Sequence, residues 1–120
     1  MLEEIFNFID NAIKSNRPFN SRQWCENDQI KMYIRYTPQR YINGLYISTI
    51  DIASVSVNPD IQGQGILTHY LSEIENKYPQ IPIFVESILN KKFKKWLIKR
   101  GYQSIFVGDT DSNCAILQRN

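Results

Sequence analysis

The sequence predicts an α+β or mixed α/β sandwich of about six strands and about three helices, on three observations. Apolar residues recur at helical spacing in three separate stretches. Between the first and the second, residues 29–57 are dense in Ile, Val, Tyr and Thr. A short apolar run then follows the second helical stretch, and strand, helix and strand within about 35 residues make a parallel crossover.

The elements follow in chain order. Leu2, Ile5, Phe6, Ile9 and Ile13 share one helical face, and "NRP" at Asn16 to Pro18 stops the pattern, which sets a first helix over about Leu2 to Ser15. The polar segment "NRPFNSRQWCENDQ" that follows carries no chemistry that can be interpreted. Strands are expected near 29–37, 40–50 and 52–58, with Pro38-Gln39 and Asn43-Gly44 each able to turn a hairpin. After Pro59 the period changes to 3.6: Ile66, Leu67, Tyr70, Leu71, Ile74 and Tyr78 form the stripe of a second helix, ended by Pro79. "IPIFVES", Ile81 to Ser87, suits a buried strand. A third helix over about Asn90 to Arg100 puts Phe93, Trp96, Leu97 and Arg100 on one face, with Gly101 as its left-handed cap. Closing strands are expected near 102–108 and 112–118.

A chain of 120 residues makes one domain, 1–120, with a single core. No run of eighteen apolar residues occurs, and the start "MLEEIFNFID" is acidic where a signal peptide would be basic, so the chain reads as cytoplasmic, with no membrane partner. Cys25 and Cys114 lie far apart and there is one histidine, which leaves a structural metal site without ligands. The net charge of +2 is uneven: Lys91, Lys92, Lys94, Lys95, Lys99 and Arg100 crowd into ten residues, while the rest of the chain carries eight basic against twelve acidic side chains. So local a patch points to an anionic ligand or partner rather than to a general affinity for nucleic acid. Phe93 and Trp96 are expected on the core face with Leu97, leaving the lysines as a solvated surface; nucleic acid is therefore an unlikely partner.

The stretch "NPDIQGQGILTHYL", Asn58 to Leu71, sets Gly63 and Gly65 where a strand gives way to a helix. The first amides of a helix have no partner inside it, and its dipole puts partial positive charge at the same end. With no β-carbons at the two glycines, the backbone N–H groups of about Gln62 to Leu67 can wrap a diphosphate, each bond contributing roughly 1.5–3 kcal/mol. The alternative is a plain turn that needs flexible backbone. No G-K-[ST] follows and a third glycine is missing, which sets aside nucleotide hydrolysis and NAD binding.

Val57, Pro59, Gln62 and Gly65, with Leu67 at the last position, resemble the signature of the GNAT acyltransferase superfamily, [RQ]-x-x-G-x-[GA] opening a helix after a strand. Asn90 and the pair Gly101-Tyr102 resemble its second landmark, and "VESILNKKFKKWLIKRGY" looks like the small GNAT proteins often encoded by bacteriophages. The resemblance covers about Asp51 to Tyr102. It implies a mainly antiparallel sheet with a splayed parallel strand pair, and transfer of an acetyl group from acetyl-CoA to a primary amine of a protein or small molecule. Relatives usually begin with a strand before the first helix, so the acceptor side is expected to be trimmed here.

The resemblance also implies residue roles. Val55, Ser56 and Val57 would hydrogen-bond the pantetheine arm, and Gln62, Gly63, Gln64, Gly65, Ile66, Leu67 and Thr68 would hold the pyrophosphate. An amide near Val55 would polarise the thioester carbonyl. Asn90 would bond the pantetheine or cap its helix. One or two lysines at the start of that helix would meet the adenosine 3′-phosphate.

An amine with pKa near 10.4 costs about 4.6 kcal/mol to deprotonate at pH 7, so a base is useful. Glu86, on the strand beside the thioester, is the candidate; the competing role is pairing with Lys91 or Lys92, or capping the third helix. The tyrosine with which many relatives protonate the leaving thiolate falls at Leu97. Tyr102 and Tyr70 are the possible substitutes, with core packing as the alternative for both. His69 lies off the apolar stripe as a solvated residue, and Cys114 reads as a small core residue. Catalytically weak docking on a partner protein is the second reading, and the oligomeric state stays open, a dimer included.

Overall fold

The structure, a computed structural model, describes residues 1–88 and 90–118. Its elements are α1 (Leu2–Ser15), β1 (Ser21–Glu26), β2 (Ile30–Ile42), β3 (Leu45–Val57), a 3₁₀ turn (Pro59–Ile61), α2 (Ile66–Lys77), β4 (Ile83–Val85), α3 (Lys91–Lys99), β5 (Gln103–Val107) and β6 (Thr110–Leu117). The strands lie in the order β1-β2-β3-β4-β6-β5. All neighbours run antiparallel except β3 and β4, which α2 joins as a parallel pair. Among the described residues this makes the expected mixed, mainly antiparallel sheet of six strands with three α-helices.

The helices sit where their apolar periodicity puts them. Ile5 and Ile9 of α1, Leu71 and Ile74 of α2 and Leu97 of α3 share one core with Met32, Ile34, Ile50, Ile52, Ile83 and Val85. Tyr78, just past α2, donates to Phe6 O at 3.1 Å and to the Asp10 carboxylate at 2.8 Å, tying α1 to α2. Burial, then the hydrogen bond to Asp10, holds its phenol well above the usual tyrosine range. Gly101, at φ 100°, ends α3, and the Tyr102 amide turns back to Leu97 O at 3.1 Å. On the opposite sheet face a smaller cluster of Ile42, Phe84 and Ile116 is built from strand residues alone.

The expected strands are redrawn in three places. Ser21–Glu26, inside the segment that gave no signal, is the edge strand β1. Pro38-Gln39 does not turn a hairpin; it forms an irregularity inside β2, where the register with β3 shifts between Thr37 and Arg40. A bulge accommodates a residue with no N–H to donate. The hairpin turns instead at Asn43-Gly44, whose φ angles of 52° and 82° are both positive, as a two-residue hairpin turn demands. The break expected near Asp51 is absent, since β3 runs on to Val57.

Candidate active site

The site begins where two strands part. Glu86 N–H donates to Ile52 O at 3.0 Å, and then Ser87 takes a left-handed conformation, φ 56°, that turns the chain so that Ile88 N–H donates to Asn113 O of β6 instead. Meanwhile β3 carries an extra residue, Ala53, between the pairs Ile34–Ile52 and Tyr33–Ser54. This bulge shifts the alternation by one. Val55 and Val57 therefore pack against the same core as Ile50 and Ile52. Asn58 N–H still bonds on the β2 side, to O of Gln29 just before that strand, 2.8 Å away, so the amides of Ser56 and Ser54 face the same way and those of Val55 and Val57 face the gap that β4 has left. A cavity of about 270 Å³ fills this gap, lined by Ile52, Val55, Val85, Glu86, Asn90 and Phe93.

A larger cleft of about 820 Å³ shares Val55, Asn90 and Phe93 with the first and runs past Val57 to the loop before α2. Gly63 and Gly65 both adopt positive φ, 85° and 78°, and a β-carbon on either would meet no atom within 4 Å. The loop is held at its edges. Asn58 Oδ1 accepts from Asp60 N–H at 3.0 Å, and the Gln62 side chain donates to Val57 O at 3.1 Å, which pins the loop to the strand end. Among the described residues, the amides of Gly63, Gly65, Ile66, Leu67 and Thr68 find no acceptor in the protein, and all five residues line the cleft. Gln64 departs from the expected set: its amide is spent on Ile61 O at 3.4 Å, and it does not line the cleft.

Asn90 caps α3, its Oδ1 accepting from Lys92 N–H at 2.8 Å and Phe93 N–H at 3.3 Å. Phe93 and Trp96 pack against the core that holds Leu97, as expected, but are only partly buried. They stack with centroids 5.8 Å apart and form one wall of the cleft, and only Leu97 of α3 is buried. Two of the six clustered cations are engaged: Lys94 pairs with Asp111, and Arg100 meets Glu75 at 2.5 Å and Ser72 at 3.1 Å. Lys91, Lys92, Lys95 and Lys99 are exposed.

Glu86 stands at the gap, but its partners are not those of α3. Its Oε1 is paired with Arg35 and lies 3.6 Å from Arg40. Behind both arginines sits Asp51, wholly buried, which accepts from Thr49 Oγ1 at 2.6 Å, Thr37 Oγ1 at 2.5 Å and Arg40 Nη2 at 2.7 Å, with Arg35 Nε at 3.4 Å. The Arg40 guanidinium also lies 3.8 Å from the Phe84 ring centroid. This cluster was missed from the sequence. Its only local signal is a charged residue inside the apolar run Ile50-Asp51-Ile52.

The substitute tyrosines are elsewhere. Tyr102 does not reach the cleft: it is 2% exposed and donates to Glu75 at 2.8 Å, in the core between α2 and α3. Tyr70 is buried and accepts from Asn27 Nδ2 at 3.0 Å, while His69 is exposed. Cys114 is half-buried and Cys25 fully so; burial, then the charge of Glu4, pushes the Cys25 thiol up, away from the reactive thiolate. Among the described residues no group of three or more His, Cys, Asp or Glu side chains is placed to hold a metal, and no helix is long and apolar enough to cross a membrane.

The fold has known counterparts. A mutant of the AtaT toxin bound to the C-terminus of the antitoxin AtaR and acetyl-CoA is 17% identical over 73% of this chain, at a TM-score of 0.53. A KacTA–DNA complex is 14% identical over 95% of this chain and 78% of its own, at 0.54, and a mutant of KacT is 13% identical over 95% and 81%, at 0.50. This chain spans 57% of the length of the AtaT structure. At these identities the likeness concerns the fold. No protein-family model and no curated protein matches the chain. With one of these neighbours in complex with DNA, the expectation that nucleic acid is an unlikely partner is not borne out.

Proposed function

We propose that the chain transfers an acetyl group from acetyl-CoA to the primary amine of a protein or small molecule. The observation that carries this reading is the row of five free amides at Gly63, Gly65, Ile66, Leu67 and Thr68, opening onto a cleft that ends in the gap between β3 and β4. Free N–H groups at a helix start, with open space at both glycines, fit a pyrophosphate. Val57, Ser56 and Asn90 line the path of the pantetheine arm, with Lys92 beside it for a phosphate. Acetyl-CoA supplies the activated thioester. Val55 N–H, directed into the gap, stabilises negative charge on an acyl oxygen, a fixed dipole in place from the start. Glu86 takes the proton of the acceptor ammonium. That one of the fold's neighbours was solved with acetyl-CoA supports the choice of cofactor.

Calorimetric titration with acetyl-CoA, followed by thiol release against a panel of amines, tests the proposal. Binding with amine-dependent release is expected; absence of both overturns it.

A second reading has its own observation. Among the described residues no phenol lines the cleft: Leu97 is wholly buried and Tyr102 is bound to Glu75. A chain of this kind, such as a small phage-type GNAT module that modulates a host factor, acts by docking on a partner protein, with transfer weak. Acetyl-CoA binding without thiol release distinguishes it.

A further inference from the structure

We infer that Asp51 is a positioning residue for Glu86: by claiming Arg40, it leaves Glu86 paired with a single guanidinium and able to accept a proton. This rests on the reading of Glu86 as the base. Two arginines and two carboxylates meet on the helix-free face of the sheet, and the charges balance, but they are shared unevenly. Arg40 Nη2 is 2.7 Å from Asp51 and 3.6 Å from Glu86, and its Nε donates to Thr49 Oγ1 at 3.1 Å, so Arg40 is oriented toward Asp51. Arg35 divides itself, Nη2 to Glu86 and Nε toward Asp51. Asp51 is wholly inaccessible, whereas about a quarter of the Glu86 side chain is open (24%) and lines the gap. No protein donor meets Glu86 Oε2 among the described residues, so one oxygen stays available to an ammonium. Arg35 and Arg40 of β2 are the charged groups that face Glu86, with Asp51 of β3 behind them. No charged side chain of β4, β6 or α3 pairs with it among the described residues.

Each cation released onto a carboxylate favours its ionised form, and each one removed disfavours it. Asp51→Asn keeps an acceptor for the two threonines but frees both arginines for Glu86. Arg40→Gln does the reverse, since Asp51 then draws Arg35 away. The two variants therefore move Glu86 in opposite directions.

The experiment is a carboxyl-carbon NMR titration of Glu86 in the full chain, without substrate, alongside the acid limb of the rate-against-pH profile for thiol release from acetyl-CoA. Asp51→Asn is expected to lower the Glu86 midpoint and the acid limb by about one pH unit, and Arg40→Gln to raise both by a similar amount. Shifts in the same direction, or none in either variant, overturn the inference, because a structural role alone changes stability without ordering the midpoints. If Asp51→Asn fails to fold, the upward shift in Arg40→Gln decides by itself. Ordered midpoints with no thiol release from the native chain would leave the charge device standing and overturn the transferase reading.

Discussion

The loop that opens α2 and the charged cluster on the helix-free sheet face handle their polar groups in opposite ways. At the loop, five backbone N–H groups are left without acceptors and the side chains around them are withdrawn or absent. At the cluster, side-chain charges meet one another and the hydroxyls of Thr37 and Thr49, leaving Asp51 with no accessible surface. Open main-chain donors form a binding surface that costs no desolvated charge, and a closed network of side chains fixes geometry. Glu86 lies between the two: tied to the cluster through Oε1, it also lines the gap that the cleft leads into.

The sharpest way to break the comparison is to open the closed region. Asp51→Ala removes the buried carboxylate that two guanidiniums and two hydroxyls share, leaving Glu86 as the one carboxylate paired with either arginine among the described residues. Breaking a buried charge network by removing one member costs on the order of 3–5 kcal/mol. Urea unfolding is expected to show a loss of that size. A loss below about 1 kcal/mol would mean that water already reaches the arginines and that the cluster behaves as surface charge.

The complementary change closes the open region. Gly65→Val forces a β-branched residue into φ 78° at the first residue before α2 and sets methyl groups over the free amides. The backbone strain costs roughly 1–2 kcal/mol of stability. Acetyl-CoA affinity is expected to fall by at least about tenfold, or about 1.4 kcal/mol, while circular dichroism stays native. Unchanged affinity would move the phosphates away from this loop.

These two regions also differ in how much of them a single sequence betrays. The loop was legible because its parts are contiguous: Val57, Pro59, Gln62, Gly63 and Gly65 lie within nine residues, and both glycines take the positive φ that accounts for their presence. Gln64 was the exception, since a turn closing on Ile61 O is a detail of backbone path that residue type does not encode. The three helices were likewise placed to within a residue or so by their apolar period, and Asn90 and Gly101 marked the ends of the third.

The cluster was not legible, because its members come from β2, β3 and the residue just past β4, and Arg35 and Glu86 are 51 residues apart. Pairing across a sheet depends on register, and here the register is altered by bulges at Ala53 and beside Pro38, neither of which the alternation pattern reveals. Pro38 misled in the same way, reading as a turn where it marks a bulge. The second role of Phe93 and Trp96 was hidden for a related reason. Helical period groups them with Leu97 against the core, which holds, but it does not show that the parting of β3 and β4 leaves their outer surfaces as a wall of the cleft.

The smallest expected effect comes from an ion pair that belongs to neither region. Lys94 pairs with Asp111 across α3 and β6, and the hydrogen bond from the ammonium, then that from Asn113 N–H at 2.9 Å, holds the Asp111 carboxyl below the usual range. A carboxylate whose folded pKa is depressed adds stability above its unfolded value, and that increment is lost as pH falls through the folded value. Asp111 is exposed to water, so the increment is screened and small. Lys94→Met is expected to return the Asp111 titration toward the ordinary carboxylate range while changing Tm little at pH 7, and the small difference in Tm should vanish in acid, where the native pair is also discharged. A large loss of stability at pH 7 that persisted in acid would show that the Lys94 stem, rather than its charge, anchors α3 to the sheet.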